Sequence, residues 1–336
     1  SAQNFQIKTK TKYIGPLLEF FKFKSKINPK RLGVINLEAT FNGNLLNPSI
    51  KSNMSIAKAK INAEGKLSLL PGDKTFNISA KIQHRDLPRL LRNFGVKYTP
   101  SKRIGPTKLN FNLSGYANAI KISNFYGNVG KISLRGTGQF TSINNKPILR
   151  AKISTSSLLI NELLPAKLKA KFSPHWPNIK RVPVTWPGAK IKSITQDVVL
   201  ANASKKSTNL TGLESFDAII EIKTPSITYN KYALKKVTLI AAINQGVIKV
   251  SRLMGKLFDG TINGEFTITP RKFTKIISTL KLTKANLRKV LQTTSGVNST
   301  NGLLNLYLNV ITKGTNESEL LSNLGGDLKF TVDDII

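Results

Sequence analysis

The chain has 336 residues, with 52 Lys or Arg against 17 Asp or Glu, a net charge of +35, no cysteine and two histidines. Its 40% apolar residues suffice for a buried core, which excludes a wholly disordered basic tail. The missing cysteines exclude a disulfide framework, a thiolate zinc site and a cysteine nucleophile, and two histidines nearly exclude a His-rich metal centre.

In chain order, Ser1 is followed by no basic-then-apolar leader. Lysines then alternate at Lys8, Lys10, Lys12 and at Lys22, Lys24, Lys26, around a short leucine-rich helical stretch, Leu17 to Phe21. Ile78, Ala80 and Ile82 alternate with Ser79, Lys81 and Gln83, which predicts a strand with one apolar and one polar row. A short helix begins at the N-cap Asp86, with Pro88 tolerated in its first turn. Leu109, Phe111 and Leu113 repeat the strand pattern against Asn110, Asn112 and Ser114. Gly127 to Ser133 faintly resembles a phosphate loop, but Ile132 stands where Ser or Thr is required and its flanks read as strands. A second helix is predicted from Ser157 to Leu164. Four prolines and both tryptophans, Trp176 and Trp186, fall between Phe172 and Gly188; proline lacks a ladder donor, so this is a connector or edge. The tryptophans there read as plugs of a sheet edge. Leu239 heads the longest apolar run, ending at Ile243, far below the roughly 20 residues of a membrane-spanning helix. A third helix is predicted at Asn286 to Leu291. Leu304, Leu306, Leu308 and Val310 then alternate with Asn305, Tyr307 and Asn309, before a last helix at Ser318 to Leu324, ended by Gly325-Gly326. The chain stops in what reads as an unfinished strand, so we expect it to be a piece of a longer protein.

Turn signals separate the strands: Asn42-Gly43-Asn44, Pro71-Gly72-Asp73, Asn144-Asn145, Asn244-Gln245-Gly246 and Asp259-Gly260. Landmarks recur at a period of about 71 residues. Gly43 corresponds to Gly115, Gly65 to Gly136, and Gly264 with Leu287 repeats the spacing of Gly65 with Leu87. The expected organisation is 1–164 as repeated β units with short helices, 165–188 as a Pro/Trp-rich connector, and 189–336 as a further region truncated at its end.

Catalytic and metal chemistry was sought without result. His84 and His175 have no partner at ligand spacing and read as surface or loop histidines. Asp333-Asp334 is the only adjacent acidic pair, and Glu317 and Glu319 complement the dipole of a short helix. No cofactor and no metal are expected. The basic charge reads first as compositional bias on solvated faces, then as attraction to anionic membrane surfaces. Nucleic-acid binding ranks below both, because the lysines are scattered through every segment rather than gathered in a patch with stacking aromatics.

The segment Lys249 to Phe266, containing Gly255-Lys256-Leu257-Phe258-Asp259-Gly260, resembles the C-terminal region of the AsmA family, where such a hairpin precedes a strand and a leucine-rich helix. Here that helix matches Asn286 to Leu291. The strand Gly302 to Thr312, the helix Ser318 to Leu324 and the strand Gly325 to Asp334 follow in the family's order, with Ile335 in place of a glycine. Ile120 to Pro165 resembles the same unit, so the likeness spans most of 17–336; the related TamB-type groove proteins share the pattern. The resemblance implies a periplasmic protein of a Gram-negative bacterium, held in the inner membrane by an N-terminal helix that this chain lacks. It also implies a role in outer-membrane biogenesis and phospholipid movement, partners among inner- and outer-membrane proteins, and no catalytic residue.

The expected fold is therefore mostly β, a long curved antiparallel sheet of repeated units forming a taco-like groove, with a few short α-helices. About 20–24 strands at ~4.8 Å would give a trough about 100 Å long. Its floor would be apolar, with Leu109, Phe111, Leu113, Leu239, Leu304, Leu306, Leu308 and Val310 meeting phospholipid acyl chains. The alternatives are a β-repeat scaffold in which the same rows close into a core and, behind it, a basic nucleic-acid binder.

Overall fold

The computed structural model describes residues 3–11, 32–163 and 214–334, apart from 94–98, 117, 144–145, 215, 272 and 299. The helix expected at Leu17 to Phe21, the connector 165–188 with His175 and both tryptophans, and the turn Asn144-Asn145 lie outside the described residues.

The strands come in blocks. After β1 (Gln3–Thr11) the first block is β2 (Ile35–Gly43), β3 (Ser49–Ile56), β4 (Ala59–Leu70) and β5 (Asp73–His84), closed by helix α1 (Leu87–Asn93). The second is β6 (Thr107–Tyr116), β7 (Ala119–Val129), β8 (Ile132–Ile143) and β9 (Lys146–Thr155), followed by the two-residue β10 (Leu158–Leu159) and helix α2 (Ile160–Leu163). The chain returns as β11 (Asp217–Tyr229), then β12 (Tyr232–Asn244), β13 (Val247–Leu257), β14 (Gly260–Pro270) and β15 (Thr274–Asn286), closed by helix α3 (Leu287–Ser295). β16 (Leu303–Gly314), helix α4 (Glu317–Ser322) and β17 (Gly325–Asp333) complete the described chain.

All seventeen strands belong to one open, curved sheet. The backbone pairings run in chain order, each strand antiparallel to the next, from β1 to β9 and again from β11 to β17. The two meanders join where β9 pairs with β11 in parallel, Ile148 opposite Asp217 and Ser154 opposite Lys223. β10 prolongs the line of β9 along the same edge of β11. The sheet thus departs from the expected all-antiparallel order at this seam. Its strands fill sixteen successive positions, about 70 Å at the usual strand spacing, against the 100 Å expected from the sequence.

Local chemistry accounts for the hairpins. Two-residue turns need left-handed backbone, supplied at Ala57-Lys58, Gln245-Gly246 and Phe258-Asp259. Bulges shift the register where β7, β12 and β15 pair with their neighbours, and Asn124, Lys236 and Lys284 take positive φ there.

The helices α1, α2 and α3 follow strands that end at the same rim of the sheet. The Asp86 carboxylate accepts from the Arg89 N–H at 3.1 Å, and the Asn286 side chain accepts from the Lys289 N–H at 2.9 Å, as the cap readings predicted. Ser157 does not cap a helix. Leu158 and Leu159 instead pair with Ile227 and Thr228 of β11, so the helix is delayed to Ile160. Here sheet pairing outweighs the leucine pattern.

Buried apolar side chains gather at this rim in two clusters. One is Leu32, Ile35, Ile56 and Ala57, against which Leu90 of α1 packs. The other is Leu282, Ala285 and Leu304, packed by Leu287 and Val290 of α3 and by Phe258 and Val332. His84 is also buried, at 6% exposure, contrary to the surface reading. Its Nε2 lies 3.2 Å from the Ala57 carbonyl oxygen and its Nδ1 accepts from the Asp86 N–H at 2.9 Å, so the imidazole ties the β3–β4 turn to the start of α1.

Candidate functional site: the apolar face of the sheet

Side chains directly opposite one another on paired strands share a face. Followed from strand to strand, the pairings define an unbroken row across the sheet. It begins Phe5, Phe41, Ile50, Gly65, Ile78, Leu113, Ile122, Gly138 and Ala151. It crosses the parallel seam to Ile220 and continues Ala241, Val250, Phe266, Ser278, Val310 and Gly326. Fifteen of these sixteen residues are apolar or glycine. The neighbouring row includes Phe125, Gly136, Ile153, Ile222, Leu239, Leu253, Gly264, Leu280, Leu308 and Leu328.

All eight residues singled out in the sequence fall on this face. Leu113 and Val310 stand in the first row, Leu239 and Leu308 in the second. Phe111 faces Ala80, Leu109 faces Ile82, and Leu306 lies between Leu282 and Phe330. Leu304 belongs to the closed cluster under α3; the other seven are half-buried, packed at their sides by neighbouring rows. Sequence reading missed Ile122, Phe125, Ile153, Ile222, Leu253 and Leu280. For Ile122 and Phe125 the alternation is interrupted: the extra residue Asn124 shifts the inward positions from Ile120 and Ile122 to Phe125 and Val129.

Glycine is placed one-sidedly. Gly65, Gly127, Gly136, Gly138, Gly255, Gly264 and Gly326 stand in apolar rows, and among the described strand glycines only Gly325 lies on the opposite face. Bending a sheet crowds its inner face, and omitted side chains relieve that crowding. At Gly136 a Cβ would fall 2.2 Å from the Lys152 carbonyl oxygen, so the neighbouring backbone already occupies the space of a side chain.

The opposite face is mostly polar, with Ile219, Ile277 and Ile311 as exposed apolar exceptions. Lys51 faces Glu64, Asn53 faces Asn62 and Lys81 faces Asn110. Hydrogen bonds tie it laterally, from the Asn62 amide to Asn53 Oδ1 at 2.5 Å and from the Ser79 hydroxyl to Asn112 Oδ1 at 3.1 Å. Near the seam, Lys146 Nζ lies 2.7 Å from Asp217 Oδ1 and Lys223 Nζ lies 3.1 Å from Glu221 Oε1. The hydrogen bond from Lys146 holds the Asp217 carboxyl below its ordinary value. Asp259 is lowered in the same way by Lys289, and Glu319 by the N–H and hydroxyl of Thr315. All three carboxylates stabilise turns and rims and lie away from the apolar rows.

No helix among the described residues is long and apolar enough to cross a membrane. Among comparisons with known proteins, the family model described as AsmA family matches residues 36–334. No curated protein and no solved structure matches the chain.

Proposed function

The chain belongs to the AsmA family, and from that premise we propose that it holds phospholipid by its acyl chains on the apolar face of the sheet and moves it between the inner and outer membranes, from the periplasm. Membership carries a role in outer-membrane biogenesis and lipid transport, association with the cell envelope, and a generally non-catalytic character.

The observation that carries the reading is the row that crosses sixteen strand positions with a single polar residue, Ser278. Each strand offers an acyl chain much the same surface as the one before. Burying a methylene there is worth about 0.8 kcal/mol relative to water, so a chain of about 16 carbons gains on the order of 10 kcal/mol. Moving it one strand along exchanges one apolar contact for another and is nearly neutral, which is what a conduit requires. The two rim clusters close only strand ends, and most mid-strand residues of the rows are half-covered. The lysine-rich opposite face favours approach to anionic membrane surfaces. Inner- and outer-membrane proteins would then meet the chain at the two ends of the row.

Native mass spectrometry of the purified chain tests this. Phospholipid is expected to co-purify and to be lost when Leu306 and Leu308 both become Asp. It should persist when their outward-facing neighbours Tyr307 and Asn309 are changed to Asp. Equal occupancy in the two variants, or lipid-free wild-type protein, would sink the proposal and favour a scaffold.

A further inference from the structure

One depression among the described residues is strongly cationic. It has a volume of about 730 Å³ and lies at the rim, between the β3–β4 turn, the end of β5, α1 and the approach to β6. Six cations line it: Lys58, Lys60, Arg85, Arg89, Arg103 and Lys108. The one carboxylate there is Asp86, and it is engaged in accepting from the Arg89 N–H at the start of α1. None of the six cations forms an ion pair with a carboxylate among the described residues. The depression over the seam is different. There Glu221 pairs with both Lys152 and Lys223, leaving a smaller cationic excess with Arg135.

One further observation separates this place from the general basicity of the chain. Arginine is scarce, eleven residues against forty-one lysines, yet three arginines meet here. Arginine presents a planar fork of donors suited to phosphate oxygens, which a lysine-rich composition alone does not supply.

We propose that this rim depression is a binding site for a phosphate group, held by Arg85, Arg89 and Arg103 with the lysines as supporting charge. The source is either a free phosphate anion or the headgroup of a phospholipid. The site is separate from the apolar rows, because Leu90 of α1 packs on the first rim cluster and closes the apolar face at this end. It therefore stands or falls independently of the acyl-chain reading.

Calorimetric titration at low ionic strength tests it with two probes, inorganic phosphate and dihexanoyl phosphatidylglycerol below its micellar concentration. At least one is expected to saturate a single site. Arg89→Gln with Arg103→Gln should weaken that binding about tenfold or more. Lys249→Gln with Lys281→Gln removes the same charge from the polar face far along the sheet and should change it by no more than about twofold. Saturation by phosphate with no stronger binding of the lipid assigns a free anion; saturation by the lipid alone assigns a headgroup. Equal weakening in the two double variants, or no saturable heat with either probe, overturns the proposal. Leu306→Asp with Leu308→Asp separates the two readings, since it should leave phosphate binding intact whatever it does to acyl chains.

Discussion

Gly136 and Gly138 stand two residues apart on β8, in adjacent apolar rows, and the geometry predicts opposite fates for the same substitution. A Cβ on Gly136 would lie 2.2 Å from the Lys152 carbonyl oxygen and 3.2 Å from the Ile153 Cα. A Cβ on Gly138 would lie 3.3 Å from the Arg150 carbonyl oxygen, with the Ile122 side chain beyond at 3.6 Å. Ordinary contact begins near 3.4 Å, so Gly136→Ala must push a paired strand aside by about 1 Å, whereas Gly138→Ala asks for about a tenth of that. The displaced oxygen sits on a laddered β9, and overpacking of this kind costs roughly 3 kcal/mol or more. At Gly138 the reduced freedom of the unfolded chain contributes about 0.4–1 kcal/mol in favour of alanine, nearly cancelling the slight crowding. Urea unfolding of the two variants beside wild type is the assay. A large loss for Gly136→Ala with a change within about 1 kcal/mol for Gly138→Ala is the expected result. Equal stabilities would show that the close strand approach at Gly136 does not constrain the sheet, and would falsify the argument that missing side chains make room for its curvature.

Two more predictions concern stability. Thr107→Val removes a buried hydroxyl that has no partner while keeping its shape, and should raise stability by about 1 kcal/mol in the absence of added anion; a loss in thermal unfolding would mean that the hydroxyl is satisfied. Asp217→Asn tests the seam. Lys146 depresses the Asp217 carboxyl below its ordinary value of 3.8, so the ionised form stabilises the fold above that value, and the contribution is lost as pH falls through the lower folded-state value. Wild type should therefore melt above Asp217→Asn at neutral pH, and the gap should close in acid; a gap independent of pH would remove the ion pair from the account.

Much of the sheet was legible because one physical signal, period-two alternation, is local. Leu109, Phe111 and Leu113 needed only their own neighbours to be placed on one face, and so did Leu304 through Val310. The caps Asp86 and Asn286 were legible for the same reason. What escaped was decided between strands. Asn124, Lys236 and Lys284 each add one residue to a strand, which reverses the meaning of odd and even positions beyond them. Nothing in the local composition distinguishes these residues from ordinary polar ones. Leu158 and Leu159 carried a helical pattern, yet β11 offered them hydrogen-bond partners. His84 looked like a loop residue because the Ala57 carbonyl that holds it is 27 positions away. The rim depression was illegible too, since its three arginines come together only when α1 folds back beside the approach to β6.

The parallel seam has a consequence for how the chain reaches its native form. Within each meander most hairpins join close neighbours and can zip as soon as they are made. The contact of β9 with β11 instead closes a long loop, as does the hydrogen bond from the Asn230 N–H to Asn161, 69 positions away. Closures over such distances are slow to form. The two blocks should thus mature separately and fuse last, and until they fuse each presents a bare strand edge to any other chain nearby. That interval, rather than the finished sheet, is where this molecule is most exposed to mispairing.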